Sequence, residues 1–252
     1  MKASVIGLDG KKMKDIELPK VFNSEYRPDL IKRAVLSIES MAFQPKGNYL
    51  LAGRDNTAHY VGMRRLPQMR RLINVGRARK PRLKNRRELL YGQVAGIPGT
   101  VSGPEAHPPK VEKILGERIN RKEKRLATDS AIAATALRSV VEGRGNELPE
   151  GLQLPIVLEE KIEGIGKTKE ILSVLKALNL LVEVEKAKAK KKVRGGKGKK
   201  RGRKYKRKKS LLFIVNDSSK LLNAAGNLEG VDVVRVESLN ARLLAPGCRA
   251  GR

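Results

Sequence analysis

The sequence contains no tryptophan and a single cysteine, and aromatic residues make up only 3% of its 252 positions. Because Cys248 has no cysteine partner, an intrachain disulfide and the usual cysteine-based zinc sites are excluded. There is also no apolar run near the ~20 residues that a membrane span needs, and no apolar h-region follows the N-terminus. These absences predict a cytoplasmic protein with an aliphatic core.

Acidic residues are scarce in two internal segments, and this scarcity accounts for nearly all of the net charge of +29. Residues 46–104 hold thirteen Lys/Arg and two acids, for a net +11, whereas residues 186–209 hold sixteen Lys/Arg and no acid, for +16. The rest of the chain therefore carries only about +2. An excess of this size, concentrated in two segments, predicts a polyanionic partner.

Outside these segments, patterns typical of strands and of helices alternate. A hairpin is predicted in residues 4–19, around an Asp-Gly dipeptide that tolerates the positive φ of a tight turn. A helix is predicted over 28–42, where a proline stands at its first position and apolar residues recur at helical spacing. A longer helix is predicted over 120–143, with Glu123 in the position of a capping box.

The C-terminal half continues the alternation. The predicted strands are 154–160, 180–185, 211–215 and 231–237, and the predicted helices are 167–179 and 218–227, the latter with Asp217 or Ser218 as its N-cap. This order is typical of βαβ units and predicts an α/β fold, a single globular domain with a largely parallel sheet covered by helices, plus two long basic extensions. We assign the globular body to residues 1–45, 105–185 and 210–252.

The basic segments can be interpreted in two ways. Charge runs are commonly solvated tails or localisation signals. Both segments, however, are tethered at both ends and intersperse Gly with Lys and Arg, so that the backbone can approach a phosphate chain closely. RNA is favoured over DNA because nothing resembles a recognition helix or a zinc finger. The predicted RNA-binding residues are Lys46, Arg54, Arg77, Arg79, Lys80, Arg82, Lys84, Arg86, Arg87, Arg194, Lys197, Lys199, Lys200, Arg201, Arg203, Lys204, Tyr205, Lys206 and Arg207.

One motif favours an enzyme instead. The sequence GIGKT at 164–168 follows a predicted strand and opens a predicted helix, as a phosphate-binding loop does. The first glycine of that motif is replaced by Lys161, and three nearby glutamates would repel phosphates. His59 and His107 lie in separate loops without paired cysteines, which gives a metal site or a catalytic triad little support. We predict no enzymatic activity, no metal and no cofactor, and keep a phosphate-loop enzyme as the alternative.

Seven segments spread over nearly the whole chain carry a resemblance to known proteins: "ELPKVF" (17–22), "RPDLIKRAV" (27–35), "VGRARKPR" (75–82), "AHPPK" (106–110), "INRKEKRLATDSAIAATA" (119–136), "GKGKKRGRKYK" (196–206) and "LAPG" (244–247). In content and in order, these segments resemble the universal large-subunit ribosomal protein four family, in its archaeal form. The resemblance implies an α/β body on the outer side of the ribosome. It also implies that 46–104 is a long loop that penetrates ribosomal RNA to help line the polypeptide exit tunnel, and that 186–209 is a second RNA-binding extension.

The resemblance further implies a tunnel-facing tip within Gly62–Arg71. The residues assigned to that tip are Met63, Arg64, Arg65, Leu66, Gln68, Met69 and Arg70. The implied partners are large-subunit ribosomal RNA, neighbouring large-subunit proteins and the nascent polypeptide, with no membrane and no small-molecule substrate. Relatives continue beyond the segment at 244–252 with a strand and a helix, so the sheet is expected to lack its last strand. A free nucleic-acid chaperone or regulator is the alternative outside the ribosome.

Overall fold

The computed structural model describes residues 1–67, 71–84, 88–149, 151–216 and 219–252. The chain divides into two compact units, one made of Met1–Ala42 and Gly116–Arg252 and the other of Phe43–Leu115. The first unit opens with the predicted hairpin, in which β1 (Lys2–Ile6) pairs antiparallel with β2 (Lys12–Glu17). Gly10 takes φ 78° in the turn, which only glycine adopts at no cost, so this prediction is confirmed.

Two helices with small residues on their facing sides form one part of the core. Helix α1 (Pro28–Met41) packs against α2 (Arg121–Ala136), and alanines dominate the buried face of α2. Ala34 of α1 and Ala131 of α2 are fully buried, which allows the two helices to approach closely. The helix predicted over 28–42 is therefore confirmed, although Met41 at its end is 60% exposed.

The helix predicted over 120–143 is correct in position but wrong in detail. It is broken at Leu137, whose extended backbone (φ −88°, ψ 104°) separates α2 from α3 (Arg138–Gly143). The predicted capping box does not form, because the Asn120 side chain makes no capping hydrogen bond. Glu123 instead accepts a hydrogen bond from Arg33 Nη1 at 3.1 Å and so links α2 to α1.

The C-terminal half contains most of the predicted elements, although the strand predicted over 154–160 is confined to Val157–Leu158 and the one predicted over 231–237 ends at Arg235. Its elements are β3 (Val157–Leu158), α4 (Thr168–Ala177), α5 (Leu181–Ala189), β4 (Lys192–Val193), β5 (Tyr205–Lys206), β6 (Leu212–Val215), α6 (Ser219–Ala225), β7 (Asp232–Arg235) and α7 (Ala241–Leu244). The strand predicted over 180–185 is wrong, since this stretch belongs to α5 and the residue preceding it. Leu180, Val184 and Ala187 are buried at helical spacing, whereas Val182 is 51% exposed. The N-cap predicted at 217 or 218 lies outside the described residues.

The fold is mixed α/β, but the described strands do not join into one largely parallel sheet. Strand β1 also pairs with β3 in parallel, with Val5 opposite Val157, to give a three-stranded sheet in the order β2-β1-β3. Strands β6 and β7 form a separate parallel pair, and β4 and β5 a separate antiparallel pair. Apolar side chains of α4, α5 and α6 pack with the three-stranded sheet and with the β6–β7 pair, while α1, α2 and α7 share a second cluster.

The second unit, Phe43–Leu115, contains the segment predicted as an insertion. Its described residues form turns, isolated β-bridges and a short 3-10 helix at Glu88–Leu90. His59 bridges to Arg82, and Arg82 also bridges to Val94, so three stretches of chain meet at Arg82.

Candidate nucleic-acid interface

The second basic segment is partly folded on itself. Strands β4 and β5 pair with Lys192 opposite Lys206, and Arg194 N donates to Lys204 O at 2.8 Å. We call residues 192–206 the basic hairpin. Its turn includes a 3-10 helix and two glycines at positive φ, Gly196 and Gly202. The glycines let the backbone reverse without a side chain standing between it and a ligand.

All nine cations of the basic hairpin are exposed. In the parts of the chain that the structure describes, no carboxylate oxygen lies within 4.0 Å of their charged nitrogens. We call this set the outer cations: Lys192, Arg194, Lys197, Lys199, Lys200, Arg201, Arg203, Lys204 and Lys206. Charges held in water without a partner are free to contact the phosphates of a nucleic acid.

Tyr205 adds an aromatic surface to this array of charges. Its side chain is 43% exposed, and the ammonium groups of Lys191 and Lys204 lie 5.0 Å and 5.4 Å from the ring centroid. These distances are typical of cation–π contacts. A partly exposed ring beside two cations suits an unpaired base, which can stack on the ring while its phosphate meets a lysine.

Where the hairpin joins the body, the cations that flank it are paired with acids. Lys191 Nζ lies 3.0 Å from Glu229 Oε1, and Arg207 Nη1 lies 3.0 Å from Glu229 Oε2. The second contact is a charge contact without the alignment of a hydrogen bond. The hydrogen bond from Lys191 holds the pKa of the Glu229 carboxyl below its ordinary value of 4.5. Arg207, predicted as an RNA contact, is thus already engaged by the body.

Two further ion pairs follow immediately along the chain. Lys208 Nζ donates to Glu183 Oε2 at 2.6 Å, and Lys209 Nζ donates to the two Asp232 oxygens at 2.8 Å and 2.9 Å. Burial works to raise the pKa of Asp232, but hydrogen bonds and charges from Lys209 and Arg252 outweigh it, so that pKa lies below 3.8. Asp232 therefore stays ionised at neutral pH.

In the second unit, most cations predicted to bind RNA are exposed. Lys46, Arg54, Arg77, Arg79, Lys80 and Lys84 all face solvent. Arg82 does not, because its guanidinium is half-buried and donates to Gly92 O at 2.7 Å and to Ala78 O at 3.1 Å. Arg82 therefore stabilises the loop as a brace, by joining separate stretches of its backbone. The predicted residues Arg86 and Arg87 lie outside the described part of the chain.

The predicted loop tip mixes exposed cations with apolar side chains. Met63 is 63% exposed, Arg64 and Arg65 are exposed, and Leu66 is half-buried. Arg71 Nη1 donates to Arg64 O at 2.9 Å and so ties the end of the tip to its beginning. The other assigned tip residues, Gln68, Met69 and Arg70, lie outside the described residues.

One cluster of exposed cations lies on the body, outside the residues predicted to bind RNA. Arg121, Lys122, Lys124 and Arg125 all face solvent on the first turns of α2. A charge sum over the whole body is nearly neutral and hides this cluster. The run RKEKR itself, with four cations in five positions, is the signal that a shorter window would have found.

The GIGKT motif lies in a setting unlike a phosphate-binding loop. A 3-10 helix (Glu160–Gly164) precedes it, where such a loop would wrap backbone N–H groups around a phosphate. The Lys167 side chain is 82% exposed and its Nζ lies 3.9 Å from Glu170. Within the described ranges, no group of three or more His, Cys, Asp or Glu side chains is placed to hold a metal ion. None of the described helices is both long enough and apolar enough to cross a membrane.

Fold and surface together define a class of protein: a mixed α/β chain in which two strongly basic segments carry many exposed cations among the described residues. Comparison with known proteins specifies the class. The protein-family model for the ribosomal protein L4/L1 family matches residues 16–250. This chain belongs to that family, and the resemblance found in the sequence is confirmed.

Individual relatives match along nearly their whole length. Large ribosomal subunit protein uL4 of Methanoculleus marisnigri is 47% identical over 252 residues, which span 100% of this chain and 94% of that protein. The protein of the same name from Methanococcoides burtonii is 46% identical over 250 residues, 99% of this chain and 92% of that protein. The one from Methanosphaera stadtmanae is 42% identical over 251 residues, 100% of this chain and 91% of that protein.

Proposed function

We propose that this chain is a non-enzymatic, structural component of the large ribosomal subunit in the cytoplasm. It binds ribosomal RNA through two extensions, 46–104 and 186–209, supports subunit assembly and helps line the polypeptide exit tunnel through the longer one. The remaining residues form the α/β body that docks at the surface. Its partners are large-subunit ribosomal RNA, neighbouring large-subunit proteins and the nascent polypeptide. Membership of the ribosomal protein L4/L1 family supports the assignment to the ribosome.

One observation carries the RNA-binding part of the proposal: the outer cations are exposed and unpaired on a glycine-containing hairpin. Each cation placed against a phosphate releases condensed counterions, and this release drives binding to nucleic acids without regard to sequence. The 43% exposed ring of Tyr205 offers a stacking surface for unpaired bases, which are abundant in folded RNA.

Sedimentation of a tagged full-length chain tests the assignment to the ribosome. Methanococcus maripaludis is a suitable host, because its own uL4 is 46% identical over 252 residues. We expect the tagged chain to sediment with the large subunit and to stay there through a high-salt wash. Recovery mainly in the unbound fraction at steady state would favour a free chaperone or regulator and contradict the proposal.

Deletions within 46–104 test the proposed division of the loop into a tunnel-lining tip and an anchoring stem. Deleting 62–71 removes the tip and leaves the cations of 77–87 to hold the loop. We expect the tip deletion to assemble nearly normally but to change nascent-chain stalling or the binding of tunnel-directed antibiotics. Deleting 77–87 should instead impair incorporation into the subunit. The reverse pattern would show that the two roles are wrongly assigned.

A nucleotide-binding assay tests the alternative of a phosphate-loop enzyme. We expect no ATP or GTP binding that depends on Lys167. Its side chain is exposed with its ammonium group near Glu170, and a 3-10 helix stands before it where a phosphate-binding loop would be. The Lys167→Ala variant is the control. Nucleotide binding that disappears in this variant would show that the chain is more than a scaffold.

A further inference from the structure

Three acids of the body contact the residues that flank the basic hairpin, where the chain leaves and re-enters the fold. Glu183 lies in α5, Glu229 follows α6, and Asp232 begins β7. Between them they bind Lys191 on the side of β4 and Arg207, Lys208 and Lys209 on the side of β5. We call Glu183, Glu229 and Asp232 the acidic clamp.

Glu183 is the most deeply placed member of the acidic clamp. The residue is 3% exposed, and Lys208 opposite it has a side chain only 15% exposed. Glu183 Oε1 also accepts from Glu147 N at 2.6 Å, and Lys208 Nζ also donates to Gly145 O at 3.0 Å. Lys186 Nζ also lies 3.7 Å from Glu183 Oε1. A buried carboxylate needs such partners, since loss of its cations would leave an uncompensated charge in the interior. The pair therefore fixes Lys208 in one place.

Glu229 closes the open end of the hairpin. Lys191 directly precedes β4 and Arg207 directly follows β5, so one carboxylate holds both strands where they leave the body. The chain beyond Lys209 is held by its backbone as well, because Ser210 N donates to Gly230 O at 2.9 Å.

We propose that the acidic clamp orients the basic hairpin on the body, which makes Glu183 and Glu229 positioning residues for RNA binding. This inference rests on the proposed function. The clamp withholds four cations from the RNA, which by itself weakens attraction to phosphates. In return, the outer cations are held in a fixed direction before binding, so that less chain has to be ordered when the complex forms.

Neutralising Glu229 distinguishes a positioning role from a purely electrostatic one, because the two roles predict opposite changes in RNA affinity. Removing an acid raises the net charge by one and releases Lys191 and Arg207, so electrostatics alone predicts tighter binding to every RNA. The clamp predicts weaker binding to a folded RNA that requires a defined hairpin direction. Affinity for a flexible polyanion should not fall when the hairpin loses its fixed direction.

The experiment uses the full chain, its Glu229→Gln variant and a Glu185→Gln control. Glu185 is exposed on α5 and makes no ion pair within 4.0 Å among the described residues, so the control matches the charge change without touching the hairpin. The two probes are a transcript of archaeal large-subunit ribosomal RNA and poly(U). For Glu229→Gln we expect about five- to tenfold weaker binding to the transcript, because roughly one more residue has to be ordered when the complex forms. Binding to poly(U) should be unchanged or tighter.

Hydrogen exchange of the free variants provides a second measurement that does not depend on RNA. In Glu229→Gln, the Arg194 amide that pairs with Lys204 should exchange faster while amides of α1 and α2 keep their protection. Unchanged hairpin exchange, or a variant that tightens binding to both RNAs as the control does, would overturn the clamp and leave the proposed function intact. A wild-type chain that binds the transcript no better than poly(U) would overturn both.

Discussion

Replacing Arg203, Lys204 and Lys206 by Ala should flatten the dependence of RNA affinity on salt. The structure leaves these three charges exposed and without an acidic partner, whereas Arg207 beside them is held by Glu229. Each cation that neutralises a phosphate contributes about 0.7 to 0.9 to the slope of log K against log salt concentration. Three contacts therefore predict a loss of about 2 to 3 in that slope, and adding Arg207→Ala should change it little further.

Filter binding of a ribosomal RNA transcript between about 50 and 200 mM salt covers the range in which this slope is measured. Over that fourfold range, the wild type should lose affinity about 20- to 40-fold more than the triple variant, from the same per-contact values. A second triple variant, Lys11→Ala with Lys12→Ala and Lys14→Ala, is the control, since these residues are exposed on the N-terminal hairpin and remove the same charge.

The control decides between contact and general attraction. If only net charge mattered, both triple variants would flatten the slope by equal amounts. That outcome, or an unchanged slope in the hairpin variant, would refute the inference that the outer cations contact phosphates and would leave the basic hairpin as a solvated extension.

Three further predictions concern stability. Arg252→Ala should lower the free energy of unfolding in denaturant by about 3 to 5 kcal/mol, because the 1% exposed guanidinium pairs with Asp232 and donates to four backbone carbonyls; Arg252→Lys should recover part of the loss. Gly230→Ala should lower the stability of the fold more than Gly196→Ala. Both glycines have positive φ, but only at Gly230 would a Cβ clash with the backbone, 2.3 Å from a carbonyl oxygen. Equal unfolding midpoints for the two variants would contradict this. Because folding lowers the pKa of the Glu229 carboxyl from 4.5, the ionised carboxylate adds to the free energy of unfolding in full above about pH 4.5, and this contribution is lost as the pH falls through the folded-state pKa. The difference in melting temperature between pH 3 and pH 6 should therefore be smaller in Glu229→Gln than in the wild type.

Periodicity predicted the position of the long helices, although the longest one, predicted over 120–143, is broken at Leu137. The helix that begins at Pro28 has four turns of pattern and a proline at its first position, so few alternatives compete with it. The stretch 180–185 is too short for that, because two valines alternating with two glutamates also fit a strand. A helix is favoured because it buries Leu180, Val184 and Ala187. That packing depends on the folded chain and cannot be read from the local sequence.

The charge excess could be located from the sequence, but the division between engaged and free cations could not. Arg207, Lys208 and Lys209 are indistinguishable in sequence from Arg203 and its neighbours. Their acids stand more than twenty positions away along the chain, at 183, 229 and 232, and only the fold brings them to the base of the hairpin. Arg82 is a similar case, since its role as a brace depends on carbonyl groups that converge in the folded loop.

The free hairpin should be least stable where it is farthest from the acidic clamp. Lys192 stands directly opposite Lys206, and like charges opposite one another destabilise an antiparallel pair. Glu229 offsets this repulsion only nearby, because screening limits its reach to about 8 Å at physiological salt. We therefore expect hydrogen exchange in the free protein to be slowest at the hairpin base and fastest over 197–201, with added salt slowing the outer exchange. RNA should supply the missing negative charge and remove the gradient, whereas uniform protection before binding would show that the outer cations do not repel one another enough to matter.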